Sequence, residues 1–287
     1  QNPNIIKTMR GLGYKLGDYE FGADNRKVTI NEENKLIYPN LSSVKGFGEG
    51  VVNTLYELGK NEYKSFTEVL KALTSNSINK TIINKLIRLN YFKKYGDVNT
   101  LLETTRYYDL LNGTKQISKD KAEKNNIPFN ILNEYGNETA KQFNKLDSEK
   151  IILKLISMIP YRKLSLKEML DNQQQILGII NIFDSTINKR FYYVSNIEEK
   201  KTVVNISLYE IYSGKTRQVK MWTSQFSKQR FEQGQILYII SLDKKNKKEP
   251  TGEINPNTGK KIYKEVPDKY EYWLKKFIVK DDLEEEE

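Results

Sequence analysis

One short stretch, residues 41–52, constrains the fold of this chain more than any other. Its apolar residues Leu41 and Val44 precede the sequence Lys-Gly-Phe-Gly, and a helical pattern begins directly afterwards. Gly46 and Gly48 allow a positive φ, so the chain can reverse within a few residues and approach a ligand closely. The stretch therefore predicts two helices joined by a sharp glycine turn.

A turn of this kind suits a phosphate group. The first amides of the following helix have no partner within that helix, and the positive end of its dipole lies at the same place. Both features favour an anion, and Lys45 adds a full positive charge. This combination predicts a helix-hairpin-helix; the alternative is an ordinary glycine-containing turn between helices. The predicted contacts to duplex phosphates are Lys45, Gly46, Phe47, Gly48, Gly50 and Lys80.

The charge of the chain fits a polyanionic partner. The sequence contains 47 Lys and Arg against 37 Asp and Glu, a formal net charge of +10. Six of the acids lie in the closing run 281–287, which we interpret as a solubilising end, so the remainder is more basic still. A basic excess of this size favours nucleic acid over an anionic membrane surface.

Cysteine and histidine are both absent from the sequence. Disulfide frameworks, zinc-finger sites and Ser-His-Asp triads are therefore excluded. Asp18, Glu20 and Asp24 are close enough in sequence to suggest a site for a hard cation. The alternative is three solvated loop acids, because nothing in the sequence fixes their geometry. We expect no catalytic residue, metal or cofactor in this chain.

The first 112 residues divide into a hairpin region and a helical region. Residues 27–38 contain two short apolar runs around a polar turn, which predicts a β-hairpin within residues 1–40. From 41 to 112 apolar residues recur at helical spacing, and Ser65–Glu68 is a capping box that opens one helix. A second, degenerate hairpin is predicted at Asn90, because asparagine tolerates the left-handed conformation. Residues 41–112 are thus predicted to form a tandem helix-hairpin-helix domain.

The rest of the chain changes from helical to alternating patterns. Residues 113–172 are predicted to be a helical linker, and residues 173–280 a β domain. The predicted strands cover 175–183, 191–197, 202–212, 218–222, 235–242 and 270–279, with a short helix over 224–231. Five strands with a helix before the fifth match the oligonucleotide/oligosaccharide-binding (OB) barrel. The predicted fold class is α+β and multidomain: a tandem helix-hairpin-helix domain, a helical linker and a five-stranded OB-fold β-barrel.

In such a barrel, aromatic side chains stack on bases and a basic groove follows the phosphates. Alternation places Tyr209, Lys220 and Trp222 opposite the apolar positions of their strands. The alternative for each aromatic residue is packing within the barrel. The run Lys244–Lys248 is predicted to be a loop, which either contacts DNA or is merely solvated. The predicted single-strand contacts are Tyr209, Tyr212, Lys220, Trp222, Lys244, Lys245, Lys247 and Lys248.

The order of these parts resembles the C-terminal part of the bacterial replicative DNA polymerase III alpha subunit (family C), including phage-encoded versions. The resemblance rests on Leu-Ser-Ser-Val-Lys-Gly-Phe-Gly-Glu-Gly-Val-Val, Tyr-Lys-Ser-Phe-Thr-Glu-Val-Leu and Ile-Asn-Lys-Thr-Ile-Ile-Asn-Lys-Leu-Ile, in this order, followed by the predicted barrel. It covers about residues 10–110 by motif and 173–280 by position and pattern only. A Gln-x-x-Leu/Met-x-Phe clamp motif is not found in 113–172, and a Ser-Gly-His-Pro-Leu-like segment is missing before the barrel, which indicates a divergent member.

The resemblance implies the DNA-holding end of a DNA-directed DNA polymerase, a nucleotidyltransferase of DNA replication. In the family the catalytic aspartates and their Mg²⁺ lie in the palm, which no segment here resembles, so the chain is expected to be inactive alone. Residues 1–40 would then end the fingers-type region. The start at Gln1 in place of Met is itself interpreted as the continuation of a longer polypeptide or as a processed product. The expected partners are primer–template duplex, single-stranded template, the remainder of the polymerase, and the sliding clamp or another replisome protein, in the cytoplasm and without a membrane.

Two other functions remain open from the sequence. One is a stand-alone single-stranded DNA-binding or repair accessory protein that combines the two modules without a polymerase partner. The other is a metal-dependent nuclease that uses Asp18, Glu20 and Asp24.

Overall fold

The structure, a computed structural model of the chain, describes residues 8–9, 12–17, 19–254, 256, 258–259, 261–280 and 283. Asp18 and the acidic residues of the closing run lie outside these described residues. The chain divides into two compact units, Gln1–Ser165 and Leu166–Glu287. Among the helices of the described residues, none has both the length and the apolar character needed to cross a membrane.

The first unit begins with a small sheet. Strands β1 (Lys15–Leu16), β2 (Thr29–Asn31) and β3 (Leu36–Tyr38) lie in the order β1-β3-β2. β2 and β3 pair antiparallel, which confirms the predicted β-hairpin. Lys35 has a φ of 50° in the connecting turn.

Four helices follow in the order that the apolar spacing predicts. They are α1 (Glu49–Gly59), α2 (Phe66–Ser75), α3 (Lys80–Arg88) and α4 (Val98–Leu111), and a 3-10 turn, Leu41–Ser43, precedes them. The predicted capping box is present: Ser65 Oγ accepts from the Glu68 amide at 3.4 Å, and Glu68 Oε2 accepts from the Lys64 amide at 2.8 Å. The first bond satisfies an amide that the first turn of α2 would otherwise leave without a partner, and the second holds Lys64, which directly precedes the N-cap.

Residues 113–165 form more than the helical linker predicted. Strands β4 (Gln116–Ser118), β5 (Asn137–Glu138) and β6 (Gln142–Asn144) make a sheet in the order β4-β6-β5. Helices α5 (Lys119–Lys124), α6 (Phe129–Glu134) and α7 (Ser148–Ser157) surround it. Strands β4 and β6 and the three helices share one apolar core with the end of α4, whereas both residues of β5 are exposed. These strands have two or three residues each, too few for an alternating pattern to appear in the sequence.

The second unit begins with a helix, and a closed five-stranded sheet with one short helix between its strands follows. Its elements are α8 (Leu166–Leu177), β7 (Phe191–Glu199), β8 (Val203–Glu210), β9 (Lys215–Trp222), α9 (Thr223–Phe226), β10 (Ile236–Ile254) and β11 (Lys261–Lys280). β7, β8 and β9 pair antiparallel in sequence order, β9 pairs parallel with β11, and β10 lies between β11 and β7. Each strand therefore has two neighbours, and the sheet closes on itself.

One predicted strand is wrong. Residues 175–183 contain the end of α8 and an irregular segment instead of a strand. A short apolar run such as Ile176–Ile182 does not distinguish a strand from the buried face of a helix. The unit boundary before Leu166 places α8 with the closed sheet.

The closed sheet has an apolar layer inside and a second layer outside. The inner layer includes Val204, Ile206 and Leu208 of β8 together with Val219 and Met221 of β9. The outer layer covers one end of the sheet, where Leu170 of α8 and Ile180 pack against buried aromatic residues of β7 and β8. The other end of the outer surface, at the start of β8 and the end of β9, is not part of this layer.

Candidate nucleic-acid interface

The first hairpin joins the 3-10 turn to α1 by the sharp reversal that the glycines predict. Gly46 has a φ of +96°, and the Phe47 amide donates to Val44 O at 3.0 Å. Gly48 is the N-cap of α1 and has an extended backbone with no side-chain cap. A Cβ at Gly46 would meet Lys85 Nζ at 3.3 Å. Residues other than glycine are therefore strained at position 46 by conformation, and the flexible Lys85 side chain would have to shift slightly.

The start of α1 presents unused donors. In the part of the chain that the structure describes, the amides of Gly48, Glu49 and Gly50 donate no hydrogen bond. A Cβ at Gly48 or Gly50 would meet nothing within 4 Å, and Gly48, Glu49 and Gly50 are all exposed, so this helix start is accessible from solvent. Three exposed donors at the positive end of a helix dipole form a site for an anion.

The apolar residues around this turn hold it in place. Leu41, Val44, Val52 and Leu55 are all buried. Phe47 is also buried, with 2% of its surface exposed, and its amide is used within the turn. The sequence predicts Phe47 as a phosphate contact, but its side chain is a core residue that anchors the hairpin.

A second lysine lies at the hairpin. Lys85, in α3, donates from Nζ to Lys45 O at 3.1 Å, and Nζ lies 6.0 Å from the centre of the Phe47 ring. The sequence does not reveal Lys85 as a site residue, because 40 residues separate it from Lys45 and it has no local signal. Lys80 of the same helix, a predicted phosphate contact, pairs instead with Asp109 Oδ2 at 2.7 Å.

The second hairpin has the predicted conformation but not the open helix start. Asn90 has a φ of 60°, the left-handed region that asparagine tolerates. The next helix, α4, is capped by Asp97, whose carboxylate accepts from the Thr100 amide at 3.0 Å and from Thr100 Oγ1 at 2.6 Å. The Asp97 carboxylate thus lies at the start of α4, where a bound phosphate would otherwise accept these hydrogen bonds. Of the two hairpins, the first is therefore the one that offers a phosphate site of this kind.

The capping bonds also affect the ionisation of Asp97. Burial by itself raises the pKa of this carboxyl group. The hydrogen bonds from Thr100 and from backbone amides outweigh burial, and the pKa lies below its ordinary value. The group is therefore charged at neutral pH, as a cap requires.

Of the three acidic residues predicted as a cation site, Asp18 lies outside the described residues, and Asp24 and Glu20 each lie beside a basic side chain. Asp24 pairs with Arg26 at 2.8 Å, and this hydrogen bond lowers the pKa of the carboxyl group to about 2. Glu20 lies 3.6 Å from Lys93 Nζ. Within the described residues, no group of three or more acidic side chains is arranged to hold a metal ion.

Tyr209 on the closed sheet does not face a ligand. Its ring is 2% exposed, and its hydroxyl donates to Ile182 O at 2.8 Å. Alternation places it on the outer surface as predicted, but the outer apolar layer covers that end of the sheet. Tyr209 is therefore a packing residue, and its predicted contact with a single strand is wrong. Tyr212 lies under Lys189, whose Nζ is 4.8 Å from its ring centre.

The exposed end of the outer surface contains a group of five residues, the tryptophan cluster: Lys220, Trp222, Lys245, Glu271 and Trp273. The two indole rings lie 4.4 Å apart between centres. Lys220 Nζ bonds to Glu271, which also accepts from Trp273 Nε1 at 2.7 Å. Lys245 Nζ lies 4.4 Å from the Trp273 ring centre. The sequence predicts Trp222, Lys220 and Lys245 as contacts but not Trp273, since only strand pairing brings Trp273 to Trp222.

The lysine run is in a strand and not in a loop as predicted. β10 and β11 pair along 19 and 20 residues, and Lys244 lies opposite Tyr272 in this ribbon. Three of these lysines have partners nearby: Lys244 lies 3.6 Å from the Tyr270 ring centre, Lys247 pairs with Glu249 at 3.0 Å, and Lys248 lies 3.7 Å from Glu265. Lysine is disfavoured in strands, so a run of lysines does not predict a strand. Here pairing with β11 makes the run part of β10.

Comparison with known protein families gives a match in the first unit. Residues 19–100 match the model of the helix-hairpin-helix motif, a DNA-binding motif. The match includes both hairpins and ends in α4. No curated protein matches the chain as a relative. The first unit thus carries a nucleic-acid-binding motif, and its first hairpin is the part whose geometry fits a phosphate.

Proposed function

We propose that this chain holds DNA for a replicative DNA polymerase of family C, with the first hairpin binding backbone phosphates of the primer–template duplex. The observation that carries the proposal is the exposed start of α1, where the amides of Gly48, Glu49 and Gly50 have no acceptor in the described structure. The match of residues 19–100 to the helix-hairpin-helix motif supports DNA as the ligand. The resemblance of the chain's segments to the polymerase III alpha subunit supports the polymerase context.

The charges around the hairpin favour a phosphate. Lys45 is exposed, and Lys85 Nζ is held at the hairpin by its bond to Lys45 O. Glu49 contributes one negative charge to the first turn of α1, so the two lysines leave this end positive. A phosphate oxygen accepts from the amides while the ammonium groups balance its charge. Contacts of this kind position a duplex and carry no sequence information.

The closed sheet supplies the second part of the proposal. The strand order β7-β8-β9-β11-β10, with α9 between the third and fourth strands of the chain, supports an OB-type barrel. In the proposal this barrel contacts single-stranded template or a replisome partner. The chain performs no chemistry of its own, and the palm of the polymerase supplies the catalytic aspartates and Mg²⁺.

The hairpin is tested most directly by Gly48→Val. A Cβ at this position meets nothing within 4 Å and the backbone is extended, so the variant should fold normally. Its side chain would crowd the exposed start of α1, where the phosphate is proposed to bind. We expect the affinity for a labelled primer–template duplex to fall about tenfold or more, the value of a charge-assisted hydrogen bond. Fluorescence anisotropy measures the affinity, and a thermal melt confirms the fold.

Charge variants complete the test. Lys45→Ala and Lys85→Ala should each reduce the slope of log affinity against log salt by about one. Lys60→Ala is the matched control: this lysine lies at the opposite end of α1 and pairs with Glu57 at 2.7 Å, so binding should not change. If Gly48→Val is folded and binds duplex as tightly as the wild type, the hairpin is not the phosphate site. A primer–template junction should also bind more tightly than either blunt duplex or single strand alone.

A further inference from the structure

The only two tryptophans of the sequence lie together on the closed sheet. Trp222 is at the end of β9, opposite Val203 of β8, and Trp273 is in β11, opposite Lys220. Their ring centres are 4.4 Å apart with an angle of 41° between the planes. Both rings are therefore attached to paired strands, which fixes their positions before any ligand arrives.

The two rings differ in exposure. Trp273 is 6% exposed, whereas Trp222 is 45% exposed. Trp273 supports one side of the pair, and the free surface of Trp222 remains available to a planar group. An aromatic residue of this size normally gains by burial, so an exposed tryptophan on a rigid support indicates a contact surface.

The charged residues of the tryptophan cluster leave it with a net positive charge. Glu271 accepts from both Lys220 and Trp273, so its charge is neutralised and it does not repel a phosphate. Lys245 remains as a cation near the Trp273 ring. The β7–β8 turn also reaches this place, because Thr223, next to Trp222, donates its amide to Thr202 O at 3.1 Å. That turn contributes Lys201, which is exposed.

We propose that Trp222 is the stacking site for an unpaired base of single-stranded DNA, with Lys245 and Lys201 binding the flanking phosphates. The proposal rests on the proposed function and specifies the residues and ligand of its second contact. Base stacking on an aromatic ring accepts every base, because each has a planar π surface. A duplex does not fit the site, because its bases are already stacked on one another.

Intrinsic fluorescence tests this site directly, because both tryptophans of the chain belong to it. The full chain is titrated with an oligo(dT) single strand and with an abasic oligomer of equal length. We expect oligo(dT) to quench the fluorescence and the abasic strand, which has the same charge but no bases, to bind more weakly without quenching. Equal binding and equal spectra for the two oligomers would overturn the proposal, since the contact would then be electrostatic alone.

Substitutions provide the second test. Trp222→Ala should weaken oligo(dT) binding about tenfold, and Trp222→Phe should retain most of the affinity. Tyr161→Ala is the control, since Tyr161 is 76% exposed in the other unit. A thermal melt identifies any variant that fails to fold, and the remaining fluorescence of Trp273 reports its surroundings. If a folded Trp222→Ala variant binds oligo(dT) like the wild type, Trp222 is not the stacking site.

The failures of the two proposals are distinguishable. Trp222→Ala should leave duplex binding unchanged, and Gly48→Val should leave oligo(dT) binding unchanged. If Trp222→Ala weakens oligo(dT) binding and Gly48→Val does not, the stacking site is supported, even if the hairpin proves not to bind duplex. Quenching by a replisome protein but not by oligo(dT) would overturn the stacking site and identify the same surface as a protein contact.

Discussion

At the scale of single residues, a polar group's role depends on what already satisfies it. Gly48 and Gly50 present amides with no acceptor in the described structure, and these amides remain available to a phosphate. Lys80 and Lys220, in contrast, have carboxylate partners. In the sequence both lysines look equivalent to Lys45. Their carboxylate partners in the structure, Asp109 and Glu271, make them less available to a ligand.

Tyr209→Phe tests the reassignment of Tyr209 to packing. The substitution removes the hydroxyl that donates to Ile182 O at 2.8 Å and leaves that carbonyl without this bond. We expect the free energy of unfolding to fall by about 1 kcal/mol, measured by urea denaturation. Oligo(dT) affinity should not change, because the ring is buried. A clear loss of affinity in a folded Tyr209→Phe protein would restore Tyr209 as a contact residue.

At the scale of elements, the starts of α1 and α4 show two solutions to the same problem. Both helices begin with amides that lack intrahelical partners. Asp97 satisfies those of α4 from within the protein, whereas Gly48 leaves those of α1 open. The first solution stabilises a helix, and the second makes a binding site.

Asp97→Ala should therefore destabilise the first unit. Loss of an aspartate N-cap costs about 1 kcal/mol at neutral pH. Because the pKa of Asp97 in the folded protein lies below its ordinary value, the contribution is complete above about pH 4, the unfolded value, and is lost as the pH falls through the folded value. Melting temperatures of wild type and variant should thus converge in acid. Asp97→Asn keeps a capping oxygen without the charge, so the stability difference between the Asp97→Asn and Asp97→Ala variants should depend less on pH.

The long strands β10 and β11 are also explained at this scale. Two lysines of β10 lie beside side chains of β11: Lys244 beside the Tyr270 ring and Lys248 beside Glu265. Such pairs contribute to pairing between strands. A sequence window that contains only one strand lacks this information, and the run Lys244–Lys248 therefore resembles a loop.

At the scale of the whole molecule, the chain consists of two compact units, and each has its own apolar core. We expect fragments 1–165 and 166–287 to fold separately, each with a cooperative melt by circular dichroism. Fragment 1–165 should bind duplex DNA as tightly as the full chain does. The tryptophan fluorescence of fragment 166–287 should be quenched by oligo(dT) as in the full chain. A fragment 166–287 without a cooperative melt would show that the closed sheet depends on the first unit.

Much of this organisation follows from the sequence because it is local. The positive φ of Gly46, the left-handed Asn90 and the cap at Ser65 each depend on a few neighbouring residues. The helices of residues 41–112 follow from apolar spacing for the same reason. The position of the first hairpin is therefore predictable without any tertiary contact.

Through-space contacts decided the rest. Lys85 reaches the hairpin from another helix, Glu271 neutralises Lys220 across 51 residues, and the outer apolar layer covers Tyr209. The sequence alone thus determined where the chain turns and which helix start is free of a side-chain cap. Only the tertiary structure decided which charges and rings remain available to a ligand, because availability depends on partners that are distant in sequence.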